Sequence, residues 1–421
     1  MAVSLPGIVL TDQWLDVPLD HAAPDGEQIT VYAREARSPD HENLPWLLFL
    51  QGGPGGKSPR PDGPDAWLRR ALRDFRVLLL DQRGTGRSTP VTARSLAARG
   101  DAAAQADYLA LFRADSIVRD AELLRAAVGG GTPWSTLGQS YGGFCTLTYL
   151  SLAPEGLREC FVTGGLAGLE ASAEDVYRRT YPRVVRKNDA FYARYPGDEA
   201  VVRGIVDLLT ESEVRLPAGD RLTIERLQAL GMAFGASGGY ERVHYLLEEA
   251  WDSGEVLSPT FLAGVQEHTS FAISPLYAVL HEACYAQGSA TRWAAQRVRD
   301  ELPAFDAAGG GRVLFTGEMV YPWMFRQEQA LEPFAAAADL LAERSGWPDL
   351  YDVDRLASNA VPVTAAVYHD DMYVDAELSL DTATRVGSVR TWVTNEFEHN
   401  GLRADGDRVL GRLIDMARGR A

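Results

Sequence analysis

The stretch STLGQSYGGFCTL, residues 135–147, places Ser140 between Gly138 and Gly142, with Gly143 directly after. Glycines this close together leave gaps in a buried strand and cost conformational entropy on folding. They make sense where the backbone turns sharply and another group must approach it closely. WSTLG before the serine is typical of a buried strand, and GFCTLTYLSLA after it predicts a helix. We therefore predict a strand–turn–helix unit with Ser140 at the turn.

Strand and helix patterns alternate on both sides of this unit. Short apolar runs at 45–50 and 76–81 are typical of strands buried on both faces of a parallel sheet. ITVYAREA (29–36) alternates like a half-exposed strand, residues 114–128 predict a helix, and RECFVTGG (158–165) predicts another strand. The alternation predicts an α/β fold whose mostly parallel sheet is flanked by helices.

The pattern changes in the middle of the chain. Helical patterns with few strand signals cover 171–210, 221–252 and most of 258–300. The sheet resumes at 361–368 and 389–397, and an amphipathic helix follows them. We predict a catalytic domain formed by 1–169 and 356–421, interrupted by a mainly helical cap domain, 170–355.

Composition excludes several classes of partner and cofactor. The net charge of −17 and the acidic pI disfavour nucleic acid and anionic membranes and mildly favour a cationic ligand such as a peptide N-terminus. No signal-peptide pattern and no long apolar run occurs, and three cysteines without a CxxC pair argue against a disulfide framework or a zinc site. We expect a cytoplasmic protein without metal or cofactor; the oligomeric state stays open.

A G-x-S-x-G turn between a strand and a helix is the nucleophile elbow of α/β-hydrolases. In that fold an acid follows a late strand and a histidine follows the last one. Here Asp370 and Asp371 follow the strand at 361–368, and His399 follows the final strand. The histidine would take the serine proton, and the carboxylate would orient the imidazole. We predict the triad Ser140, Asp371 and His399, with Asp370 as the alternative acid.

A tetrahedral intermediate needs backbone donors for its oxyanion. One predicted donor is the N–H of Tyr141, directly after the nucleophile. The other is the N–H of Gly53 in QGGPGG (51–56), where the absence of a side chain leaves the N–H free to face the site. A purely structural turn would also explain those glycines.

Two further features near Ser140 are expected to be structural. In DQRGTGRS (81–88), Asp81 and Arg83 are predicted to form a buried ion pair that supports the elbow. Cys145 lies beside the elbow and is expected to pack in the core rather than to act as a nucleophile. GTGRS lacks the lysine and the spacing of a phosphate-binding loop.

The motifs QGGPGG, DQRGTGRS, GQSYGGF, YHDDMYVD and EHNG together resemble the proline iminopeptidases, serine peptidases of the α/β-hydrolase fold, and in particular their longer branch with an enlarged cap. The similarity spans nearly the whole chain, including TGEMVYPWMF in the insertion. It implies an enzyme that releases an N-terminal residue, preferentially proline, from peptides through an acyl-enzyme. Gln51 departs from the pattern, since many members have histidine before Gly-Gly-Pro-Gly.

The resemblance also implies that glutamates of the cap hold the α-amino group of the substrate. By motif, the candidates are Glu282 in LHEACY, Glu318 in TGEMVYPW and Glu249 in LLEEAW. Tyr321 and Trp323 are candidates for lining a proline pocket, or else belong to the core. Short members carry Arg and Phe where this chain has Thr163 and Leu166, so the strictness of proline selectivity stays open.

Two other functions remain possible at this point. An esterase or amidase with the same triad would act on a small neutral molecule and would need no cap carboxylates facing Ser140. A non-catalytic binding protein of the same fold would be expected to have a broken triad, whereas Ser140, Asp371 and His399 are all present.

Overall fold

The computed structural model describes residues 2–253 and 255–420. In these ranges the strands are β1 (Ala2–Leu5), β2 (Ile8–Pro18), β3 (Gln28–Arg37), β4 (Trp46–Leu50), β5 (Arg76–Asp81), β6 (Trp134–Gln139), β7 (Leu157–Thr163), β8 (Val214–Arg215), β9 (Arg221–Leu222), β10 (Trp251–Asp252), β11 (Val256–Leu257), β12 (Val363–Tyr368) and β13 (Val389–Thr394).

The helices begin with α1 (Ala66–Ala71), α2 (Ala93–Ala97), α3 (Ala102–Ala110), α4 (Ala114–Gly129), α5 (Tyr141–Leu152), α6 (Ala173–Arg194), α7 (Asp198–Glu211), α8 (Ile224–Gln228) and α9 (Gly239–Glu248). They continue with α10 (Pro259–Thr269), α11 (Pro275–Leu280), α12 (Ala294–Asp300), α13 (Met324–Gln327), α14 (Ala335–Glu343), α15 (Val353–Ala357), α16 (Ala376–Arg385), α17 (Gly401–Ala404) and α18 (Gly406–Ala417). Short 3₁₀ helices include Ala229–Gly235 and Glu282–Tyr285.

Nine strands form one twisted layer in the order β1-β2-β3-β5-β4-β6-β7-β12-β13. The pairs from β5 to β13 are all parallel, and β1, β2 and β3 join as an antiparallel edge. Parallel strands bring their carboxyl ends to one edge of a sheet, so the turns after β4, β6, β7, β12 and β13 gather there. The predicted α/β-hydrolase fold is confirmed.

Successive residues of a strand point their side chains to opposite faces of the sheet. In β4, Leu47 and Phe49 pack in the cluster that includes α1 and α18, and Phe49 stacks on Trp67 with ring centroids 4.5 Å apart. Leu48 and Leu50 pack on the other face, in the cluster that includes α4 and α5. Burial on both faces explains why these strands are continuous apolar runs.

Seven strands predicted from the sequence are present within a few residues of their expected bounds. The N-terminal hairpin of β1 and β2 was not predicted. Its strand β2 does not alternate strictly between buried and exposed residues, and it is held by a ten-residue antiparallel register with β3. The strand β2 therefore forms because it pairs with β3, and a local sequence pattern does not reveal such pairing.

Between β7 and β12 the chain forms helices α6 to α15 and two short hairpins, β8-β9 and β10-β11. The hairpins lie at the breaks between the stretches predicted as helical, with β8 and β11 in the gaps and β9 and β10 at the two ends of 221–252. This insertion is tied to the sheet domain by Arg183, whose Nε lies 2.6 Å from Asp375 Oδ2, and by Lys187, whose Nζ lies 2.6 Å from Glu398 Oε2. The exact division at 170 and 355 stays a prediction.

Within residues 2–253 and 255–420, no helix combines the length and apolarity needed to cross a lipid bilayer.

Candidate active site

Ser140 connects β6 to α5 with φ 55° and ψ −124°, a backbone conformation that side-chain-bearing residues rarely adopt. Its neighbours are glycine because the turn is crowded. A Cβ on Gly142 would overlap the carbonyl oxygen of Leu50, and one on Gly138 would overlap that of Gly142. The glycines therefore let the strand, the helix and β4 pass one another while the serine is presented at the turn.

Asp371 and His399 form a buried hydrogen-bonded pair, with His399 Nδ1 2.6 Å from Asp371 Oδ2. The second carboxylate oxygen accepts the backbone N–H groups of Tyr373 at 2.8 Å and Val374 at 3.1 Å. Both oxygens are thus fixed, and the imidazole is held with Nε2 left for another partner. Asp370 is exposed and contacts His369 instead.

The turn after β7 brings the histidine and the serine to the same place. Gly164 is so close to the imidazole that a Cβ there would lie 3.1 Å from His399 Nδ1. A Cβ on Gly165 would overlap the carbonyl oxygen of Ser140. Among the contacts of the described residues there is no hydrogen bond between Ser140 Oγ and His399, and such catalytic bonds commonly tighten only when substrate is bound.

The electrostatic environment suits His399 as a base. Burial by itself lowers the pKa of an imidazole, but the charge and hydrogen bond of Asp371, together with the charge of Glu318, raise the pKa of His399 above its usual value. The carboxylates of Asp371 and Glu318 therefore favour the protonated form of the ring.

Of the two predicted oxyanion donors, Tyr141 directly follows Ser140, and Gly53 directly follows a glycine that contacts Ser140. Tyr141 is the first residue of α5, so its N–H has no acceptor within the helix. Gly53 adopts φ 142°, a region that favours glycine. Its neighbour Gly52 touches the site, because a Cβ there would lie 3.1 Å from Ser140 Cβ.

Glu318 is the cap glutamate that the structure brings towards the triad. It is partly exposed, and the hydroxyl of Tyr277 donates a hydrogen bond to its Oε1. The pKa of Glu318 is raised to about 7, and burial is the largest cause. The charge of His399 and the hydrogen bond from Tyr277 lower this pKa, whereas the charge of Asp371 raises it. The segments that carry Glu318 and Asp371 are in contact, because a Cβ on Gly317, beside Glu318, would lie 3.0 Å from Cε of Met372, beside Asp371.

The structure does not bring the other two glutamates into such a position. Glu282 is buried, and its carboxylate oxygens accept the N–H groups of Ala294 at 3.0 Å and Ala295 at 2.8 Å. Both oxygens are occupied at the start of α12, so this side chain has a structural role instead of the expected amine contact. Glu249 is exposed at the end of α9.

The aromatic candidates of the cap belong to its core. Tyr321 is fully buried, with its hydroxyl 2.9 Å from that of Tyr181, and it stacks with Trp323. Two tyrosines not singled out from the sequence lie closer to the chemistry. Tyr373 packs edge-on to His399 at 4.9 Å between ring centroids, and Tyr277 binds Glu318. YHDDMYVD, which contains Tyr373 two residues after Asp371, gave a signal for the first of these tyrosines.

The predicted ion pair of Asp81 with Arg83 is wrong. Arg83 is fully buried and binds Asp120 of α4 through Nε at 2.7 Å and Nη2 at 2.6 Å, while Asp81 pairs with Arg60. The strand ends at Asp81 and the backbone turns at Gly84, with φ 78°, so the two side chains diverge. Cys145 is buried beside the elbow, in agreement with a packing role.

Comparison with known proteins decides the family. The chain is 52% identical over 417 residues to the proline iminopeptidase of Aeromonas sobria, an alignment that covers 98% of each chain. This chain belongs to the proline iminopeptidase family. It is also 36% identical over 426 residues to a proline iminopeptidase of Aspergillus aculeatus, covering 98% of this chain and 94% of that protein.

Residues 45–208 match the profile of the alpha/beta hydrolase fold. A solved proline iminopeptidase from Mycobacterium smegmatis superposes with a TM-score of 0.45 at 13% identity, over 97% of this chain and 98% of that one. Family membership makes the protein a hydrolase and confirms the resemblance found in the sequence. The roles of individual site residues rest on the geometry given above.

Proposed function

We propose that this protein is a serine aminopeptidase that removes N-terminal proline from peptides, with Ser140, Asp371 and His399 as its triad. The observation that carries the proposal is the contact between the segment of Glu318 and the segment of Asp371, where Gly317 packs against Met372. A carboxylate there can hold the charged imino group of an N-terminal proline while the adjacent carbonyl carbon meets Ser140. The full-length similarity to proline iminopeptidases supports the same activity.

Acylation starts when Ser140 Oγ attacks the carbonyl carbon of the proline residue and its proton passes to His399 Nε2. The C–O bond forms, and the carbonyl oxygen takes up negative charge that the N–H groups of Gly53 and Tyr141 stabilise. The imidazolium then gives its proton to the leaving nitrogen as the C–N bond breaks. Asp371 stabilises the imidazolium during this interval.

Deacylation repeats these steps with water. His399 removes a proton from a water molecule that attacks the prolyl ester, and returns it to Ser140 Oγ as the C–O bond breaks, which releases proline. All proton transfers use one imidazole, so the reaction needs no metal or redox cofactor.

Recognition of proline is assigned to the groups that meet near Glu318. The carboxylate accepts hydrogen bonds from the two N–H groups of the charged pyrrolidine nitrogen. Tyr373, which packs edge-on to His399, is assigned the contact with the pyrrolidine ring, and Tyr277 holds the carboxylate of Glu318. The cap supplies Glu318 and Tyr277, so it determines which N-terminus is accepted.

The test measures kcat/KM for anilides of Pro, Ala, Leu and N-acetyl-Pro, and for a neutral acyl ester, with Ser140→Ala as the control for background hydrolysis. A strong preference for free Pro over N-acetyl-Pro is expected, and Ser140→Ala should remove all turnover. Hydrolysis of the ester without the Pro anilide would instead identify an esterase.

A further inference from the structure

A cavity of about 450 Å³ opens beside the loop that carries Gly53. Gly55 of that loop forms part of one wall, the turn around Gly84 forms another, and the cap segment 272–276 closes the third side. The cap and the loop touch here, since a Cβ on Gly55 would lie 2.7 Å from Leu276 Cβ. The cavity therefore lies on the boundary between cap and sheet domain, next to the catalytic turn.

The charge of this cavity is unusual for the molecule. Lys57 is the only charged residue among its described lining residues, although the chain as a whole carries −17. The sequence contains two lysines: Lys187 is bound to Glu398, whereas Lys57 is exposed and takes part in no ion pair within the described ranges. The remaining wall is largely apolar, with Val91, Leu276 and Phe334. Such a site fits a ligand with one negative charge and an apolar body.

The cavity is within reach of the reacting bond. Gly52 touches Ser140, and Gly55, three residues further along, lines the cavity. Three residues of chain span at most about 11 Å, so the cavity wall lies within that distance of the residue that contacts Ser140. The leaving dipeptide of a tripeptide, about 7 Å long when extended, together with the long side chain of Lys57 can cover this gap.

We propose that this cavity binds the leaving group of short peptides, and that Lys57 Nζ pairs with the C-terminal carboxylate of that group. The proposal rests on the aminopeptidase function proposed above. The apolar wall contacts the side chain of the residue released from proline. The enzyme then selects short peptides with a free carboxyl terminus, a preference separate from recognition of the N-terminal proline.

The experiment compares kcat/KM for Pro-Leu and Pro-Leu-Gly, each as the free acid and as the C-terminal amide, at low and high salt. The native enzyme should prefer the acids by about twofold to fivefold, as expected for an exposed ion pair, and salt should reduce the preference. Lys57→Gln should abolish the preference, Lys57→Glu should reverse it, and Lys57→Arg should retain it.

The Pro anilide, which has no carboxylate, separates this proposal from the proposed function, because Lys57 variants should change its kcat/KM far less than they change the ratio between acids and amides. Arg158→Gln is the matched control, because it removes an exposed cation at the start of β7, away from the carboxyl ends of the strands. Equal kcat/KM for acids and amides in the native enzyme, or an acid preference that survives Lys57→Gln, would overturn the proposal. Failure to cleave the Pro anilide would overturn the aminopeptidase function itself.

Discussion

At the scale of single residues, the environment of Glu318 gives the sharpest prediction. Glu318→Gln keeps the shape of the side chain and removes its charge. For the free Pro anilide, kcat/KM should fall by about tenfold to a hundredfold, since a charged hydrogen bond contributes about 1.5–3 kcal/mol. For a neutral ester the rate should change little. Steady-state kinetics on both substrates decides this, and equal losses on the two would remove the amine-binding role.

The pH dependence follows from two groups with raised pKa. His399 must be neutral to act as a base, and its pKa lies above its usual value, so activity is lost as the pH falls through that raised pKa. Binding of a charged amine also needs ionised Glu318, whose pKa is about 7. The acid limb of log kcat/KM should therefore have a slope near 2 for the Pro anilide and near 1 for the ester. In the Glu318→Gln variant, the acid limb of log kcat/KM should have a slope near 1 for both the Pro anilide and the ester.

The choice of the acid can be tested in the same assay. Asp371→Asn should lower kcat by about 10⁴-fold, because the amide cannot hold the imidazole in the required tautomer. Asp370→Asn should leave kcat nearly unchanged, since Asp370 is exposed and contacts His369. If Asp370→Asn were the more damaging change, Asp370 would be the acid.

At the scale of elements, the buried carboxylate of Glu282 organises the start of α12. Glu282→Gln replaces one acceptor oxygen by a donor that faces the N–H groups of Ala294 and Ala295. The free energy of unfolding should drop by about 1–3 kcal/mol. Chemical denaturation measures this, with Glu249→Gln as an exposed control. A large loss of kcat/KM in Glu282→Gln without a change in the free energy of unfolding would instead support a role of Glu282 in binding the substrate amine.

Much of the fold was predictable because local patterns and the sheet agree. Parallel strands buried on both faces must be apolar, so they are visible in the sequence as apolar runs. The elbow must have glycine where α5 meets β4, so it is visible as a glycine motif. The partner of Arg83 and the role of Glu282 depend on which distant element lies opposite, and a motif does not encode that. The ordering of Asp371 and His399 after successive strands was predictable, since the topology brings those ends together.

At the scale of the whole molecule, ion pairs join the insertion to the sheet domain close to His399. Lys187 binds Glu398, which directly precedes His399, and burial raises the pKa of Glu398 against the effect of the lysine. Lys187→Met should lower the free energy of unfolding by about 1–3 kcal/mol, because it leaves Glu398 without its partner.

The double variant Lys187→Met/Glu398→Gln should recover part of that loss, since no uncompensated charge remains. Denaturation of the two single variants and the double variant gives the coupling between them. Additive losses would show that the pair contributes nothing specific.

The contact between Gly55 and the cap segment at Tyr277 has a consequence for the reaction rate. The same short loop carries the proposed oxyanion donor and rests against the cap segment that contains Tyr277. Under the proposed function, we expect a peptide that fits poorly against the cap to disturb the position of this donor as well. Discrimination between good and poor N-termini should then appear in the rate of bond breaking as much as in the strength of binding.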